Sequence, residues 1–322
     1  MTTTTANTFS DTLPTSSSNS ESLSLPSQTS VTVVYPDAAI ALALVSCIIF
    51  IVVGVFGNGL TIFALLMHKK LRSVSTTTFI VSLCVTDLVF CSINLPLTAV
   101  RYRYQAWILG DTLCKIFPFV FYLNVAASLF NIMAITINRY VLIGHYRYFD
   151  AIYSRLNVAA MIAMCWAIPL ALLTPVLAGN WGRFGYKAHT FSCTILRHHG
   201  HSPKKVLFLI GFLLPCLVIL ASYSGIYYIV RRSHHKLSTH NSTTNGVTIA
   251  SPQDNDCPAS DANNRLRRTS KTADEKRSTD ETTLTRMVVM IFCTFIICYL
   301  PLMAANVFDD EETIPWIHII GI

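Results

Sequence analysis

Six long runs of uncharged residues divide this chain and constrain its fold more than any other feature. The runs are Ala38–Met67, Ser73–Val100, Ile116–Asn138, Leu156–Gly182, Val206–Val230 and Met287–Phe308, and the second holds one charged residue, Asp87. A tilted helix that crosses a bilayer needs ~20 apolar residues, and each run is long enough. Only 13% of the chain is charged, whereas soluble domains have about 25%. The sequence therefore predicts an all-α membrane protein.

Both ends of the chain differ from these six runs. A seventh apolar run begins at Thr313 and stops at Ile322, which is too short to cross a bilayer. We therefore expect a bundle of seven transmembrane helices over 38–322 whose seventh helix is truncated, in a chain that is a fragment. Residues 1–37 are rich in Ser and Thr and contain no Lys or Arg. They have little to bury and are expected to form a disordered tail.

Lysine and arginine predict the orientation of the bundle. The segments 68–72, 139–155 and 231–286 hold 16 of the 24 basic residues. An excess of basic residues marks the cytoplasmic side of membrane proteins. The N-terminal tail is therefore expected outside the cell, and 231–286 is expected to be a long cytoplasmic loop.

The ten cysteines leave one candidate pair for a disulfide. Seven cysteines lie within apolar runs, where they act as small hydrophobic residues. Cys257 lies on the expected cytoplasmic side, where thiols stay reduced. Cys114 and Cys193 are then the two on the oxidising side, and a disulfide between them would hold the second outer loop over the bundle. Two free extracellular thiols are the alternative.

Polar residues inside the runs predict an ion site. A carboxylate at the depth of Asp87 is costly and usually functional. Asn124, Ser128 and Asn131 are spaced four and three apart, so they share one helix face, and Asn58 of the first run could face it. One carboxylate with several neutral oxygens suits a sodium ion, another monovalent cation or a proton. Hydrogen bonding between helices is the alternative.

Arg139 follows directly on an uncharged run and is itself followed by Tyr140. The arginine is therefore expected at a boundary between membrane and water. Taken alone, it is explained by an interface anchor, whose apolar stem stays in the membrane while its charged head reaches water. A functional role needs support from the rest of the chain.

Prolines inside the runs mark expected bends. Pro215 lies in the fifth run with Tyr223 further along it, and Pro301 lies in the sixth run after Phe295 and Tyr299. A proline within a helix removes a backbone hydrogen bond and kinks the helix, and membrane helices tolerate this. The prolines and their aromatic neighbours are either conformational hinges or ordinary packing.

An ordered series of short motifs resembles the rhodopsin-like (class A) G-protein-coupled receptors from about residue 38 to residue 322. The series is Gly57-Asn58 in the first run, Ser82 to Asp87 in the second, Cys114 and Asn138-Arg139-Tyr140 in the third, Trp166 in the fourth, Pro215 and Tyr223 in the fifth, and Phe295 to Pro301 in the sixth. Each motif is weak alone, but the ordered set is specific. The stretches Cys84 to Ala99 and Ile137 to Ile143 further resemble the insect moody and trapped-in-endoderm receptor group.

The sequence departs from the family pattern at three places. Asn138 stands where the family usually has an acid, and Tyr299 stands where it usually has tryptophan. The tyrosine-containing motif of the seventh span is absent, because the chain stops at Ile322. Without the acid, the resting state is expected to be less restrained, with Glu281 at the start of the sixth run able to pair with Arg139.

The resemblance implies a signal transducer in the plasma membrane and not an enzyme. An extracellular ligand would bind between the outer ends of the helices and shift the population of two states. The kink at Pro301 would let the inner end of the sixth span move, and Arg139 would leave Glu281 to contact a heterotrimeric G protein. Kinases and arrestin are implied partners of the loop 231–286. No nucleic-acid partner, catalytic residue, metal-ligand set or cofactor is expected, apart from the sodium ion.

The ligand pocket is expected to be mainly apolar. Helical position relative to Cys114 and Pro301 predicts a lining of Phe121, Tyr122, Val125, Leu207, Phe208, Leu302, Met303 and Asn306. Because amine receptors place a carboxylate where this chain has Phe121, a charged amine is not expected as the ligand. A lipid-like or weakly polar ligand fits the lining better.

Two other classes of protein stay open from the sequence. A transporter or channel would use Asp87 as its ion site, although the chain shows no internal repeats, which many transporter folds have. A receptor-like bundle that no longer signals is the other alternative. A complete seventh span in the full-length coding sequence would favour a signalling receptor over both.

Overall fold

The structure, a computed structural model, describes residues 36–68, 75–187, 191–197 and 203–244, with backbone alone from 233 to 244. In the sixth predicted span it describes residues 286, 289, 290, 292–297 and 300, and 292–297 are helical. Five helices in the described part are long and apolar enough to cross a membrane. These five spans are Asp37–Met67, Ser75–Tyr104, Gly110–Gly144, Arg155–Leu177 and Lys204–Arg232. The expected all-α bundle is confirmed for these spans, and the predicted seventh span lies outside the described residues.

Several helix ends differ from the predicted ones. The third span continues to Gly144, so Arg139 lies within a helix and not at its end. The fourth span ends at Leu177, because Gly179 and Gly182 adopt left-handed backbone conformations with φ of 77°. The fifth helix runs on to Thr244, so the start of the expected loop 231–286 is helical. Hydropathy marks the part of a helix that meets lipid, whereas backbone hydrogen bonding continues beyond the bilayer.

Two wide helical turns precede prolines. A π turn over Phe90–Asn94 comes just before Pro96, and another over Leu209–Leu213 comes just before Pro215. Because proline lacks an N–H group and its ring crowds the preceding turn, a widened turn accommodates it. Each of these two spans therefore has a widened turn just before its proline.

The third span lies at the centre of the described bundle. It packs against the second, fourth and fifth spans, while the first span packs against the second. Side chains at the centre are almost completely buried: Phe79, Leu129, Ile132, Ile135 and Ile219. The outer face of the first span stays exposed, with Phe56 at 74%, as expected for a surface that meets lipid.

Glycine permits the closest contact between the third and fifth spans. A Cβ atom on Gly225 would lie 2.7 Å from Cε2 of Tyr140, closer than van der Waals contact allows. The ring of Tyr140 therefore rests on the backbone of the fifth span. It also lies 5.5 Å from the ring of His145, measured between centroids.

A β-hairpin follows the fourth span, which the sequence did not predict. Its strands are β1, Arg183–Lys187, and β2, Ser192–Leu196, and they pair antiparallel with Tyr186 opposite Cys193. The predicted disulfide between Cys114 and Cys193 is present and ties β2 to the start of the third span. We call this end of the bundle the disulfide end and the opposite one the Arg139 end.

Candidate functional site

Arg139 is buried at the Arg139 end of the third span, with 6% of its surface exposed. Tyr223 of the fifth span lies near enough to Arg139 to feel its charge, and its hydroxyl lies close to the side chain of Thr136, one turn before Arg139 in the third span. A buried guanidinium costs free energy unless other groups compensate for lost water. This burial does not fit the alternative of an arginine that anchors the helix at an exposed boundary.

Asn138 connects three elements. Thr76 donates a hydrogen bond from Oγ1 to Asn138 Oδ1 at 2.6 Å, and Asn138 Nδ2 donates to Ser75 Oγ at 3.3 Å. The Asn138 side chain also lies close to the hydroxyl of Tyr153. Asn138 is completely buried. Its amide therefore links the third span to the second span and to the segment before the fourth span.

Tyr153 secures the short helix Tyr146–Ile152 against the bundle. Its ring meets Phe79 of the second span edge-on, with centroids 6.4 Å apart, and lies 4.9 Å from the ring of Phe149. Burial raises the pKa of Tyr153 to about 12, against the opposing effect of the hydrogen bond with Asn138. Sequence reasoning missed Tyr153, Ser75 and Thr76, since no local pattern relates them to Asn138.

Replacing Tyr153 by phenylalanine should lower the stability of the folded receptor by about 1 kcal/mol, because the polar interaction of its hydroxyl with Asn138 is lost while the ring packing stays. Because the pKa of Tyr153 is raised, the stability of the folded receptor should also depend on pH. The stability that the neutral hydroxyl contributes is present below pH 10 and is lost as pH rises towards about 12. Thermal melting in detergent across that range should therefore fall less steeply in the variant than in the parent.

Tyr148 provides the control for this prediction, because it lies on the short helix that ends just before Tyr153 and is 58% exposed. Tyr148→Phe should leave both the melting temperature and its dependence on pH unchanged. Equal melting curves for Tyr153→Phe and Tyr148→Phe would contradict a structural role for the hydroxyl of Tyr153.

The polar cluster in the middle of the bundle brings Asp87 and Ser128 together. Ser128 Oγ donates to Thr86 Oγ1 at 2.9 Å and is 3.4 Å from Asp87 Oδ1. Both polar atoms of the Asn124 amide are buried with no hydrogen-bond partner among the described residues. One carboxylate, one hydroxyl and one unpaired amide therefore lie on the facing sides of the second and third spans. Thr86 was not predicted.

The two other residues predicted for this cluster bond to their own helices. Asn58 Nδ2 donates to the carbonyl of Gly54 at 2.9 Å, and Asn131 Nδ2 donates to the carbonyl of Ala127 at 2.9 Å. Nearby, Trp166 of the fourth span donates from Nε1 to Ser82 Oγ at 3.2 Å. This last bond joins the fourth span to the second beside the cluster.

The fifth and sixth spans meet through aromatic rings. Phe212 stacks on Phe208 with centroids 5.4 Å apart, and it lies 6.2 Å from Phe295 of the sixth span. Pro215 is buried just beyond the π turn that contains Phe212. The other residues predicted for the hinge, switch and pocket lie outside the described residues: Glu281, Tyr299, Pro301, Leu302, Met303 and Asn306.

A cavity of about 50 Å³ lies between the third, fourth and fifth spans, beneath the hairpin. It is lined by Tyr122, Val125, Ala126, Pro169, Leu172, Leu173, Ile195, Lys204, Leu207, Phe208, Gly211 and Phe212. Four of these were predicted for the ligand pocket: Tyr122, Val125, Leu207 and Phe208. The contribution of the fourth span was not predicted, because that span is apolar on every side and its sequence does not mark an inward face.

Phe121, also predicted to line the ligand pocket, does not line this cavity. Its ring packs against Phe90 of the second span and against Phe117 and Tyr122 of its own helix, at centroid distances of 5.8, 6.3 and 5.5 Å. Tyr122 faces the hairpin, and its hydroxyl lies 3.1 Å from Thr194 Oγ1. Phe121 and Tyr122 therefore make contacts on different sides of the third span.

The sequence of this chain is similar to those of known membrane receptors. The family "7 transmembrane receptor (rhodopsin family)" matches residues 57–316. Protein trapped in endoderm-1 of Drosophila melanogaster is 43% identical over 89% of this chain and 71% of its own length. The G-protein coupled receptor moody of the same species is 34% identical over 88% of this chain but 47% of its own length. Melatonin receptor type 1B-B of Danio rerio is 35% identical over 63% of this chain and 58% of its length.

The chain spans about half the length of the moody receptors that it matches. The match to the receptor family covers most of the chain, including the disulfide, the polar cluster and Arg139. Relatives named as G-protein coupled receptors support a signalling receptor that is not an enzyme and do not favour a transporter or channel. The chain therefore belongs to the rhodopsin family of seven-transmembrane receptors, as a multi-pass membrane protein.

Proposed function

We propose that this chain binds an extracellular ligand near the disulfide end and activates a heterotrimeric G protein at the Arg139 end. The N-terminus and the disulfide end then lie outside the plasma membrane, in agreement with the distribution of basic residues. The observation that carries the proposal is the burial of Arg139, which is 6% exposed beside Tyr223. Arginine stays charged at any physiological pH, so its release towards a partner would create a strong contact.

A chain of contacts connects the cavity to the sixth span. Phe208 and Phe212 line the cavity, and Phe212 also contacts Phe295 of the sixth span. A ligand that fits one position of these rings better than another has different affinities for two states of the bundle. It therefore shifts their populations, and the inner end of the sixth span follows.

The lining of the cavity supports a lipid-like or weakly polar ligand. Ten of its twelve lining residues have apolar side chains or none, and the exceptions are Tyr122 and Lys204. The hydroxyl of Tyr122 lies within hydrogen-bond distance of Thr194. A ligand in the cavity would therefore make mainly apolar contacts.

A sodium ion fits the polar cluster. Asp87 supplies the charge, Ser128 lies 3.4 Å from its carboxylate, and the buried Asn124 amide has an oxygen with no partner among the described residues. These three would hold the ion, which would neutralise the carboxylate and favour one packing of the second and third spans. Kinases and arrestin are proposed to act on the hydroxyl-rich segment within 231–286.

The proposed function is tested in cells that express the full-length receptor containing this chain. A library rich in lipid-like compounds is screened for dissociation of the G protein, followed by energy transfer between labelled subunits. At least one compound should dissociate the G protein in these cells and not in parental cells. Ion currents or solute uptake without any G-protein response would instead support a channel or transporter.

A further inference from the structure

Thr86 is completely buried in the second span, directly before Asp87, and it adds a hydroxyl to the polar cluster. Its Oγ1 donates a hydrogen bond to the backbone carbonyl of Leu83 at 2.6 Å. A carbonyl oxygen carries no proton, so the proton in this bond belongs to Thr86. Threonine hydroxyls often bond in this way to a carbonyl one turn back in their own helix. The single proton of the Thr86 hydroxyl is therefore used within the second span.

The position of this proton also fixes the hydroxyl proton of Ser128. Ser128 Oγ lies 2.9 Å from Thr86 Oγ1. Because the proton of Thr86 points to Leu83, Thr86 accepts this second hydrogen bond and Ser128 donates it. A hydroxyl has one proton and two lone pairs. The oxygen of Ser128 is therefore left with lone pairs alone for its other neighbours.

Ser128 and the carboxylate of Asp87 then face each other as two acceptors. Ser128 Oγ is 3.4 Å from Asp87 Oδ1, which is longer than the about 2.5–3.0 Å of ordinary hydrogen bonds between oxygens. If the proton of Ser128 turned to Asp87, the closer pair of Ser128 and Thr86 would be left without a proton at 2.9 Å. Repulsion between lone pairs is greater at the shorter distance. The proton is therefore favoured between the two hydroxyls, and a cation suits the space between Ser128 and Asp87.

The amide of Asn124 adds a third oxygen of the same kind. Asn124 lies one turn before Ser128 in the third span and is 1% exposed. Both polar atoms of its side chain are buried without a hydrogen-bond partner among the described residues. Hard cations bind to the lone pairs of carboxylate and carbonyl oxygens. A carboxylate, a hydroxyl and an amide thus offer lone pairs on the facing sides of two spans.

We propose that Thr86 is a positioning residue of the sodium site, which accepts the proton of Ser128 and thereby turns the lone pairs of Ser128 towards the ion. This inference rests on the sodium ion of the proposed function and adds a residue that does not itself touch the ion. Loss of a group that orients the ligands of a metal ion commonly weakens its binding roughly 10- to 100-fold. The alternative is that Thr86 only ties the second span to the third by a hydrogen bond.

Thermal melting of the purified full-length receptor across a series of sodium chloride concentrations tests the proposal without any need for a G protein. N-methylglucamine chloride keeps the ionic strength constant. An ion that binds the folded state alone raises the melting temperature once its concentration exceeds the dissociation constant. The sodium concentration at which the rise begins therefore reports the affinity of the site. NMR of the sodium nucleus in the same samples reports binding directly.

Replacements of Thr86 separate its hydroxyl from its packing. Thr86→Val keeps the shape of the side chain, and the rise in melting temperature should begin at roughly 10-fold higher sodium, because the proton of Ser128 is then free to turn to Asp87. Thr86→Ala also lacks the hydroxyl and should show the same shift, so the result does not depend on whether one replacement folds. Thr86→Ser keeps the hydroxyl and should behave as the parent.

Thr174→Val provides the matched control. The hydroxyl of Thr174 also donates to a carbonyl of its own helix, that of Leu170 at 2.7 Å, but it lies in the fourth span and is exposed. Its removal should leave the response to sodium unchanged.

Ser128→Ala decides whether Thr86 acts through Ser128. This variant lacks one of the three oxygens and should itself bind sodium more weakly. Adding Thr86→Val to Ser128→Ala should then weaken binding no further, because no hydroxyl is left for Thr86 to orient. A second loss of the same size in the double variant would overturn the proposal.

The remaining outcomes distinguish this inference from the proposals on which it rests. An unchanged response to sodium in a folded Thr86→Val or Thr86→Ala receptor, with melting lowered equally at every sodium concentration, would leave Thr86 a purely structural tie and overturn the proposal. A parent receptor that does not respond to sodium would refute the sodium site and this inference with it. Sodium binding as expected, without any G-protein activation, would refute the proposed receptor function and leave this inference standing.

Discussion

Arg139→Ala should abolish activation of the G protein while the receptor still reaches the cell surface and binds its ligand. Arg139 lies in a helix that carries the core of the bundle, but its own contacts are at the Arg139 end, far from the cavity. Ligand affinity measured without G protein should therefore stay unchanged. Affinity measured with G protein should lose the reciprocal increase that coupling provides. Radioligand binding and G-protein dissociation in the same membranes check both results.

Charge and shape at Arg139 can be separated. Arg139→Lys keeps a positive charge but loses the planar group with five donors, so it should restore only part of the coupling. The ion pair with Glu281 that the family resemblance implies for Arg139 would be worth about 1 kcal/mol if partly screened, or roughly fivefold in a two-state ratio. Glu281→Ala should therefore raise signalling without ligand by about that factor. Normal signalling by Arg139→Ala, together with unchanged basal activity in Glu281→Ala, would show that Arg139 has no part in coupling to the G protein.

Asn138→Asp changes the residue next to Arg139 and gives a further test of the charge balance around Arg139. Its carboxylate would give Arg139 a local partner and should lower basal signalling. The structure adds a cost, because Asp keeps the acceptor for Thr76 but loses the amide that donates to Ser75. Reduced basal activity should therefore come with reduced melting temperature, a combination that removal of Glu281 would not produce.

Loss of the disulfide should have the largest effect on stability. Cys114→Ser and Cys193→Ser each open a link between residues separated by 79 positions, and loss of such a bridge costs ~2–5 kcal/mol. Each variant should therefore show greatly reduced surface expression and a lower melting temperature. Ligand binding should fall as well, because the bridge holds the strand that carries Thr194 and Ile195 over the cavity.

The double variant identifies the bridge as the cause. Because one covalent link is lost in every case, Cys114→Ser with Cys193→Ser should be no worse than either alone. Cys293→Ser, which alters an exposed cysteine of the sixth span, should express normally and serves as the control. Losses that add in the double variant would show that the two side chains act separately.

Local patterns were sufficient for the spans, the disulfide pair and the family. Long apolar runs require helices, because backbone groups in lipid must bond within their own segment. The pairing of Cys114 with Cys193 followed from counting cysteines by compartment. These inferences need only the order of residues along the chain, which is why they agree with the fold and with the matched receptor family.

Tertiary structure decided which side chains meet. A helix that is apolar on every side does not show which face turns inward, so the fourth span's part in the cavity could not be predicted. The hydrogen bond from Thr76 to Asn138 and the contact between Asn138 and Tyr153 join residues that lie far apart or in a segment without periodicity. Helix rotation and loop packing set these contacts, because they arise from the fit between elements and not from the pattern within any one of them.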